Sequence, residues 1–358
     1  MLIALLAATV FLAFANGAND VSKGISTLVG AGVSSYGRAV SWGTFCTVAG
    51  ALTAAFTSQV LIATFSGKGI LTHPSTSPAF LLSIACGATL WLIVATLTGL
   101  PVSTTHSLAG ALVGAALMQS GAASVLWGSL ARKIALPLAV SPLVSLLLVL
   151  AVSPLLRPFL ARREKECLCV DEGAALVTPE GMTLREGIHS ITIGNDASCE
   201  TAALRFGTID TLHWISAGAT SFFRGLNDTP KILALGIAAG TLLGIARIPM
   251  FAAIAGAMGA GSLIAGVRVT RTLAEKVTRI SPPEGFTANL VTATLVGLAS
   301  SYALPVSTTH VSAGAIVGAG VSRGVAVRRG TLRDIALAWL VTLPVSAALA
   351  AMATLLVR

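Results

Sequence analysis

Pro101-Val-Ser-Thr-Thr-His106 recurs letter for letter as Pro305-Val-Ser-Thr-Thr-His310. Carried on to Gly114 and Gly318, 11 of 14 positions agree. Each copy lies inside a long apolar stretch, Ala79 to Met118 and Thr287 to Val321. Proline has no backbone N–H and clashes with the turn before it, so each stretch is predicted to break there. The hydroxyl residues that follow suit the N-cap of a new helix, starting from about Thr105 in the first copy. Each stretch is read as a re-entrant helical hairpin that enters and leaves on one side.

Two further blocks repeat in the same order. Asn16-Gly-Ala-Asn-Asp-Val-Ser-Lys23 is echoed by Arg224-Gly-Leu-Asn-Asp-Thr-Pro-Lys231, and Ile134 to Ser145 by Ile335 to Ser346. Three matched blocks in one order make an internal repeat. The remaining apolar segments are Leu2 to Val29, interrupted near Asn16–Asp20; Ala39 to Phe65; Ile134 to Leu156; Leu212 to Ile245, interrupted near Arg224–Lys231; Pro249 to Val267; and Ile335 to Val357. This divides the chain into a first membrane repeat (1–156), a polar segment (157–208) and a second membrane repeat (209–358). Of the 358 residues 54% are hydrophobic and 10% charged, against about 25% charged in an ordinary soluble domain. That composition excludes a soluble enzyme, a disordered chain and a coiled coil, and leaves an all-α polytopic membrane protein. Met1 to Ala15 lacks a basic leading region and runs into the polar motif, so it is read as part of a spanning helix and not as a cleaved signal.

Charge sets the expected orientation. If each broken stretch returns to its own side, each half crosses the membrane three times and the halves are inverted. The basic residues then divide thirteen to five. The richer side holds Arg38 and the clusters at 157–165, 268–279 and 323–333; the other holds Lys68, Arg132, Lys133, Arg247 and Arg358. The positive-inside rule puts the polar segment in the cytoplasm and both termini outside, with Arg132 and Lys133 the awkward pair. The net charge of +9 is read as loop charge, with no nucleic-acid partner implied. Inverted repeats with paired broken helices mark secondary transporters, whose substrate lies near the midplane.

The two hairpin breaks each offer unpaired helix N–H groups, a positive dipole end and hydroxyls, which together suit an oxyanion such as phosphate or sulfate. Asp20 is the one acid between Met1 and Arg163, and Asp228 the one acid between Thr211 and Ala274. Intramembrane carboxylates are costly and mark function. Gly17 and Gly225 precede the Asn-Asp pairs and would let the backbone unwind, giving oxygen sites for Na⁺ at Asn19, Asp20, Asn227 and Asp228. The plainer reading pairs each Asp with the lysine three residues on, Lys23 or Lys231. Arg224 replaces Asn16 in the second half and either meets the anion or snorkels. His106 and His310 fit packing, a bond to a neighbouring oxygen, the anion or a proton relay. Asn289 is a further ion or substrate ligand. In the polar segment, Ile188 to Ile193 alternates like a short strand. The five cysteines do not form a disulfide framework; Cys167, Cys169, His189 and Cys199 could bind Zn²⁺, but a solvated segment with buried thiols fits the tight Cys-Leu-Cys spacing better.

Phe14-Ala-Asn-Gly-Ala-Asn-Asp-Val21, the two Pro-Val-Ser-Thr-Thr-His blocks and Pro283-Glu-Gly-Phe-Thr-Ala-Asn-Leu290 resemble the inorganic phosphate transporter family, over roughly 300 residues. The resemblance implies symport of inorganic phosphate with Na⁺, or with H⁺ in some members. It implies a phosphate cradle of Ser103, Thr104, Thr105, Ser307, Thr308 and Thr309, with Asn19, Asp20, Asn227 and Asp228 serving the ions. It also implies a homodimer in the bilayer. No enzyme activity, cofactor or metal beyond the coupling ion is expected. Unlike some relatives, Ala39 to Phe65 has no acid, which bears on ion choice. The rival readings are a sulfate or related oxyanion permease of the same fold, a phosphate sensor or receptor that does not transport, a channel and an intramembrane hydrolase. The compact length suits a prokaryotic inner membrane.

Overall fold

The computed structural model describes residues 1–57, 59–164, 166–171, 176–177, 183–184, 190–195, 204–302 and 304–357. The first half runs α1 (Leu2–Asp20), α2 (Ser22–Gly30), α3 (Tyr36–Thr57), α4 (Gln59–Phe65), α5 (Pro78–Thr98), α6 (Thr104–Ser120) and α7 (Trp127–Leu130). A π-helical turn, Ala131–Ala135, leads into α8 (Leu136–Arg163). Short strands follow: β1 (Glu166–Asp171), β2 (Leu176–Val177), β3 (Thr183–Leu184), β4 (Ser190–Asn195) and β5 (Leu204–Gly207). The second half runs α9 (Thr208–Leu242), α10 (Arg247–Ala265), α11 (Val267–Glu275), α12 (Pro282–Ser301), α13 (Thr308–Ser322) and α14 (Arg329–Val357).

Six helical stretches among the described residues are long and apolar enough to cross a membrane: Leu2–Gly30, Tyr36–Thr57, Pro78–Thr98, Trp127–Arg163, Arg247–Ala265 and Arg329–Val357. Large apolar side chains such as Phe56 and Leu356 face outward at 80% and 85% exposure, while Asn16, Asn19, Asp20, Lys23, Arg224, Asn227, Asp228 and Lys231 lie inside. That is the distribution a lipid solvent imposes, since hydrocarbon cannot hydrogen-bond.

Both proline motifs break a helix as the sequence predicts. α5 ends on Gly99, whose φ of 74° closes the last turn. Ser103 and Ser307 are the N-caps of α6 and α13, accepting from the backbone N–H of His106 and His310 at 3.3 Å each. Helix α6 starts at Thr104, one residue before the expected position. The two ends of each hairpin meet again at its base. Thr72 N donates to Ser124 O at 2.9 Å and Leu126 N to Ile70 O at 2.8 Å. In the second hairpin Arg328 N donates to Val277 O at 3.0 Å.

Helices pack mostly across the halves. α1 lies on α10 and α9 on α3; α6 lies on α14 and α13 on α8. Exchanging the two halves maps each contact onto the other. α1–α2 and α9 run antiparallel: Thr9 lies beside Gly236, Asn16 beside Asp228, Gly24 beside Ser221 and Thr27 beside His213.

The expected unwinding at the Asn-Asp pairs does not occur. α1 stays helical through Asp20 and gives way to α2 only at Val21; α9 is continuous through Pro230. Gly17 and Gly225 serve close packing instead. A Cβ at Gly17 would lie 1.9 Å from the Met258 carbonyl oxygen, and one at Gly225 would lie 2.2 Å from that of Thr47. Small residues let helix backbones touch where lipid provides no hydrophobic drive.

In the polar segment β1 pairs antiparallel with both β4 and β5. The predicted strand falls on β4, with Ile188 and His189 outside the described residues. Cys167 and Cys169 are buried there. Cys169 is disulfide-bonded, which corrects its reading as a thiol and removes it as a zinc ligand. The other two zinc candidates, His189 and Cys199, lie outside the described residues.

Candidate functional site

Asn16, Asn19, Asp20 and Lys23 repeat the spacing of Arg224, Asn227, Asp228 and Lys231. Steps of three and four residues put each quartet on one helical face. The antiparallel crossing of α1–α2 with α9 turns these faces toward one another, and the tips of both hairpins reach the same place. Lys23, Lys231 and Arg224 are 0% exposed, Asp20 1% and Asp228 2%. Three cationic side chains thus share a buried volume with two carboxylates.

The bonds are specific. Lys23 Nζ donates to Asn19 O at 2.9 Å, Asn19 Oδ1 at 2.7 Å and Asp20 Oδ1 at 2.5 Å. Asp20 Oδ2 accepts from Thr104 Oγ1 and from Asn16 Nδ2, both at 3.0 Å. Lys231 Nζ donates to Thr105 Oγ1 at 2.9 Å, Val306 O at 3.0 Å and Asp228 Oδ1 at 3.2 Å. The plainer reading of each Asp as the partner of the lysine three residues on is what the side chains adopt. Asn19 also holds the first tip, accepting from Val102 N at 3.3 Å and donating to Leu100 O at 3.0 Å. Asn227 Nδ2 holds the second tip through Val306 O at 3.2 Å.

Arg224 does not snorkel. It donates to Asn16 Oδ1 at 3.2 Å and Thr47 Oγ1 at 2.9 Å, and its Nε is buried without a partner among the described residues. It is the one cation of the three without a carboxylate ion pair among the described residues. Asn16 and Arg224 occupy equivalent positions of the two halves, and they touch. So do His106 and His310, with ring centroids 4.6 Å apart. Both pairs thus bring equivalent positions of the two halves into contact.

Of the six cradle residues, Thr105 and Thr309 bond across the tips: Thr105 Oγ1 to Val306 O at 3.3 Å and Thr309 Oγ1 to Val102 O at 2.8 Å. Ser103 and Ser307 serve as caps. Thr104 joins Asp20, and Thr308 is buried at the start of α13. His310 Nδ1 lies 2.7 Å from Leu138 O and its ring packs on Trp339 at 3.9 Å. Asn289 is not brought to the Asn-Asp pairs. Its Nδ2 donates to Thr27 Oγ1 at 2.7 Å and Gly24 O at 3.1 Å, in a separate cluster with His213. Sequence reading missed Asn16 as the bridge between both halves, since its Nδ2 also reaches Thr104 Oγ1 at 2.9 Å and Asp228 Oδ2 at 3.3 Å. Its place in the repeated spacing was the available signal. Thr47, which accepts from Arg224, and Thr96, whose Oγ1 accepts from Asn19 Nδ2 at 3.2 Å, were missed too, and nothing in their local sequence marks them. Among the described residues no group of three or more His, Cys, Asp or Glu side chains is placed to hold a metal ion. A separate cavity of about 340 Å³ lies at the base of the second hairpin between α8, α12 and α13.

The sequence profile of the phosphate transporter family matches residues 16–350, a range that takes in both quartets and both hairpin tips. The chain belongs to the phosphate transporter family. Family members are transporters and not enzymes, which removes the hydrolase reading. An Arabidopsis thaliana protein named inorganic phosphate transporter 2-1, chloroplastic, is 31% identical over 96% of this chain and 70% of its own length. A Pyrococcus horikoshii protein named as a candidate phosphate permease is 31% identical over 95% of this chain and 93% of its own. A solved structure described as the sodium-dependent phosphate transporter superposes with a TM-score of 0.77 at 25% identity, covering 99% of this chain and 98% of that one.

Proposed function

We propose that this family member carries inorganic phosphate across the cell membrane, coupled to a cation, by alternating access between two inverted repeats. The observation that carries the reading is the buried surplus of one positive charge where two helix N-termini meet. An uncompensated buried charge costs several kcal/mol, about 3–5 when a partner is removed, so the site favours an anion. The hydroxyls and N-terminal turns of α6 and α13 add donors. The family and the names of the relatives support phosphate as that anion.

The carboxylates favour phosphate over sulfate. Phosphate near neutral pH keeps at least one P–OH, which can donate to Asp20 or Asp228. Sulfate has no proton to give and would face those carboxylates unpaired. In the closed arrangement, Thr105 and Thr309 spend their hydroxyls on carbonyls of the opposite tip. An anion that takes these hydroxyls must break the cross-tip bonds, so loading is tied to separation of the hairpins. The antiparallel run of α1–α2 against α9 and the self-mapping helix contacts support inverted repeats rocking against each other. Asn19, Asp20, Asn227 and Asp228 serve the cation side of the cycle, and Asn289 stands outside it as a packing bond between α12 and α2. The charge asymmetry supports a cytoplasmic polar segment and external termini, and the resemblance supports a homodimer.

The test is uptake of radiolabelled phosphate into proteoliposomes with sulfate as competitor. Concentrative uptake that excess sulfate leaves intact is expected. Binding without accumulation would make the protein a receptor, and equal competition by sulfate would make it a general oxyanion carrier.

A further inference from the structure

The residues at the Asn-Asp pairs do not fit a bound Na⁺, because the chain already supplies a cation at each. An ammonium has three N–H donors and no acceptor. Lys23 Nζ meets three oxygens, Asn19 O, Asn19 Oδ1 and Asp20 Oδ1, and Lys231 Nζ meets three, Thr105 Oγ1, Asp228 Oδ1 and Val306 O. Both ammonium groups are fully satisfied, and both lie 0% exposed. These are carbonyl, amide, hydroxyl and carboxylate oxygens, the donor set of a sodium site. A Na⁺ entering either cage would sit beside a like charge and compete for the same oxygens. Of the carbonyls at the Asn-Asp pairs, Asn19 O turns to side chains and is already taken by Lys23 Nζ at 2.9 Å and Ser22 Oγ at 2.8 Å, while α9 is helical throughout.

We infer that Lys23 and Lys231 are tethered replacements for the coupling sodium ions, and that phosphate transport by this chain is coupled to protons and indifferent to Na⁺. The inference rests on the transport reading above and assigns its cation. The exchange involves one N–H bond: an amine takes up H⁺ from the side on which the site loads and, as Lys–NH₃⁺, releases H⁺ on the other. The charged and titratable groups facing Lys23 are Asp20 on α1, Arg224 and Asp228 on α9 and His310 on α13. Those facing Lys231 are Asp228 on its own helix and Asp20 on α1, with the Phe65 ring of α4 at 5.9 Å and the Thr105 hydroxyl of α6 completing its surroundings.

Purified protein in proteoliposomes separates the two cations. An inward proton gradient is expected to drive phosphate accumulation equally in NaCl and in choline chloride, and a Na⁺ gradient at symmetric pH is expected to drive none. Accumulation driven by Na⁺ at symmetric pH, or radiolabelled sodium entering with phosphate, overturns the inference and leaves phosphate transport intact. Accumulation under neither gradient defeats the transport reading and the inference with it. A second measurement needs no variant: the thermal midpoint of the wild-type protein should be the same in NaCl and choline chloride at equal ionic strength, and a Na⁺-specific rise overturns the inference. Lys23→Asn and Lys231→Asn vacate the cages. Each is expected to lose proton-driven accumulation and to gain a Na⁺-specific rise in thermal midpoint. Retained proton-driven accumulation in both variants also overturns it.

Discussion

Lys23 is held by the last two residues of the preceding helix, and Lys231 is held by three separate segments. The three acceptors of Lys23 all come from Asn19 and Asp20. Lys231 reaches Asp228 on α9, Thr105 at the first hairpin tip and Val306 at the second. The two quartets have the same spacing, yet they bond differently. The first quartet is a preassembled unit that can move as one body. The second is a latch, because any separation of the tips breaks bonds to Lys231 before it touches those of Lys23. The single residue that differs in charge, Asn16 against Arg224, sits where the halves meet. It makes the shared site positive without placing two guanidinium groups in contact where the halves meet.

The strongest way to break this comparison is at the carboxylates. Asp20→Asn and Asp228→Asn are each expected to abolish coupled uptake in a folded protein. Each leaves a buried ammonium without its carboxylate, a loss of about 3–5 kcal/mol. Asp20→Asn is expected to lower the thermal midpoint further, because its bonds run from 2.5 to 3.0 Å against 3.2 to 3.3 Å for the Lys231 and Asn16 contacts of Asp228. Wild-type uptake by both variants would refute the role given to the pairs.

Arg224→Asn restores the residue of the first half and removes the surplus charge. Losing a charge-assisted contact of about 1.5–3 kcal/mol should raise the KM for phosphate roughly ten- to hundred-fold. The maximal rate and the thermal midpoint should change less. An unchanged KM would show that Arg224 only braces Asn16 and Thr47.

Gly17→Ala and Gly225→Ala give the smallest effect. Each Cβ would press on a backbone oxygen of a neighbouring helix, at 1.9 and 2.2 Å, and overpacking of this kind costs about 1–3 kcal/mol. Both variants should show a similar drop in thermal midpoint. A loss of uptake at full stability would return these glycines to the unwinding role that the sequence suggested.

Much of this was legible early because it is local. Pro101 and Pro305 break helices through a missing N–H, and Ser103 and Ser307 cap the next helix within three residues. The pairing of Asp20 with Lys23, and of Asp228 with Lys231, is a property of helical spacing. The unwinding predicted at Gly17 and Gly225 failed for a reason outside their own segments: the oxygens of Met258 and Thr47 press on these positions. Asn289 looked like a site residue because it precedes a hairpin break, but its helical face is turned to Thr27.

The sequence by itself determined the membrane class, the duplication, the two broken hairpins and the two charged quartets, since composition and periodicity act through neighbours along the chain. Only the tertiary structure decided that Asn16 meets Arg224, that Thr105 and Thr309 bond across the tips, and that both lysines fill the oxygen cages. These contacts join residues up to 208 positions apart, as between Asn16 and Arg224. They depend on which helix faces come together when small residues let backbones touch, and no local pattern specifies that.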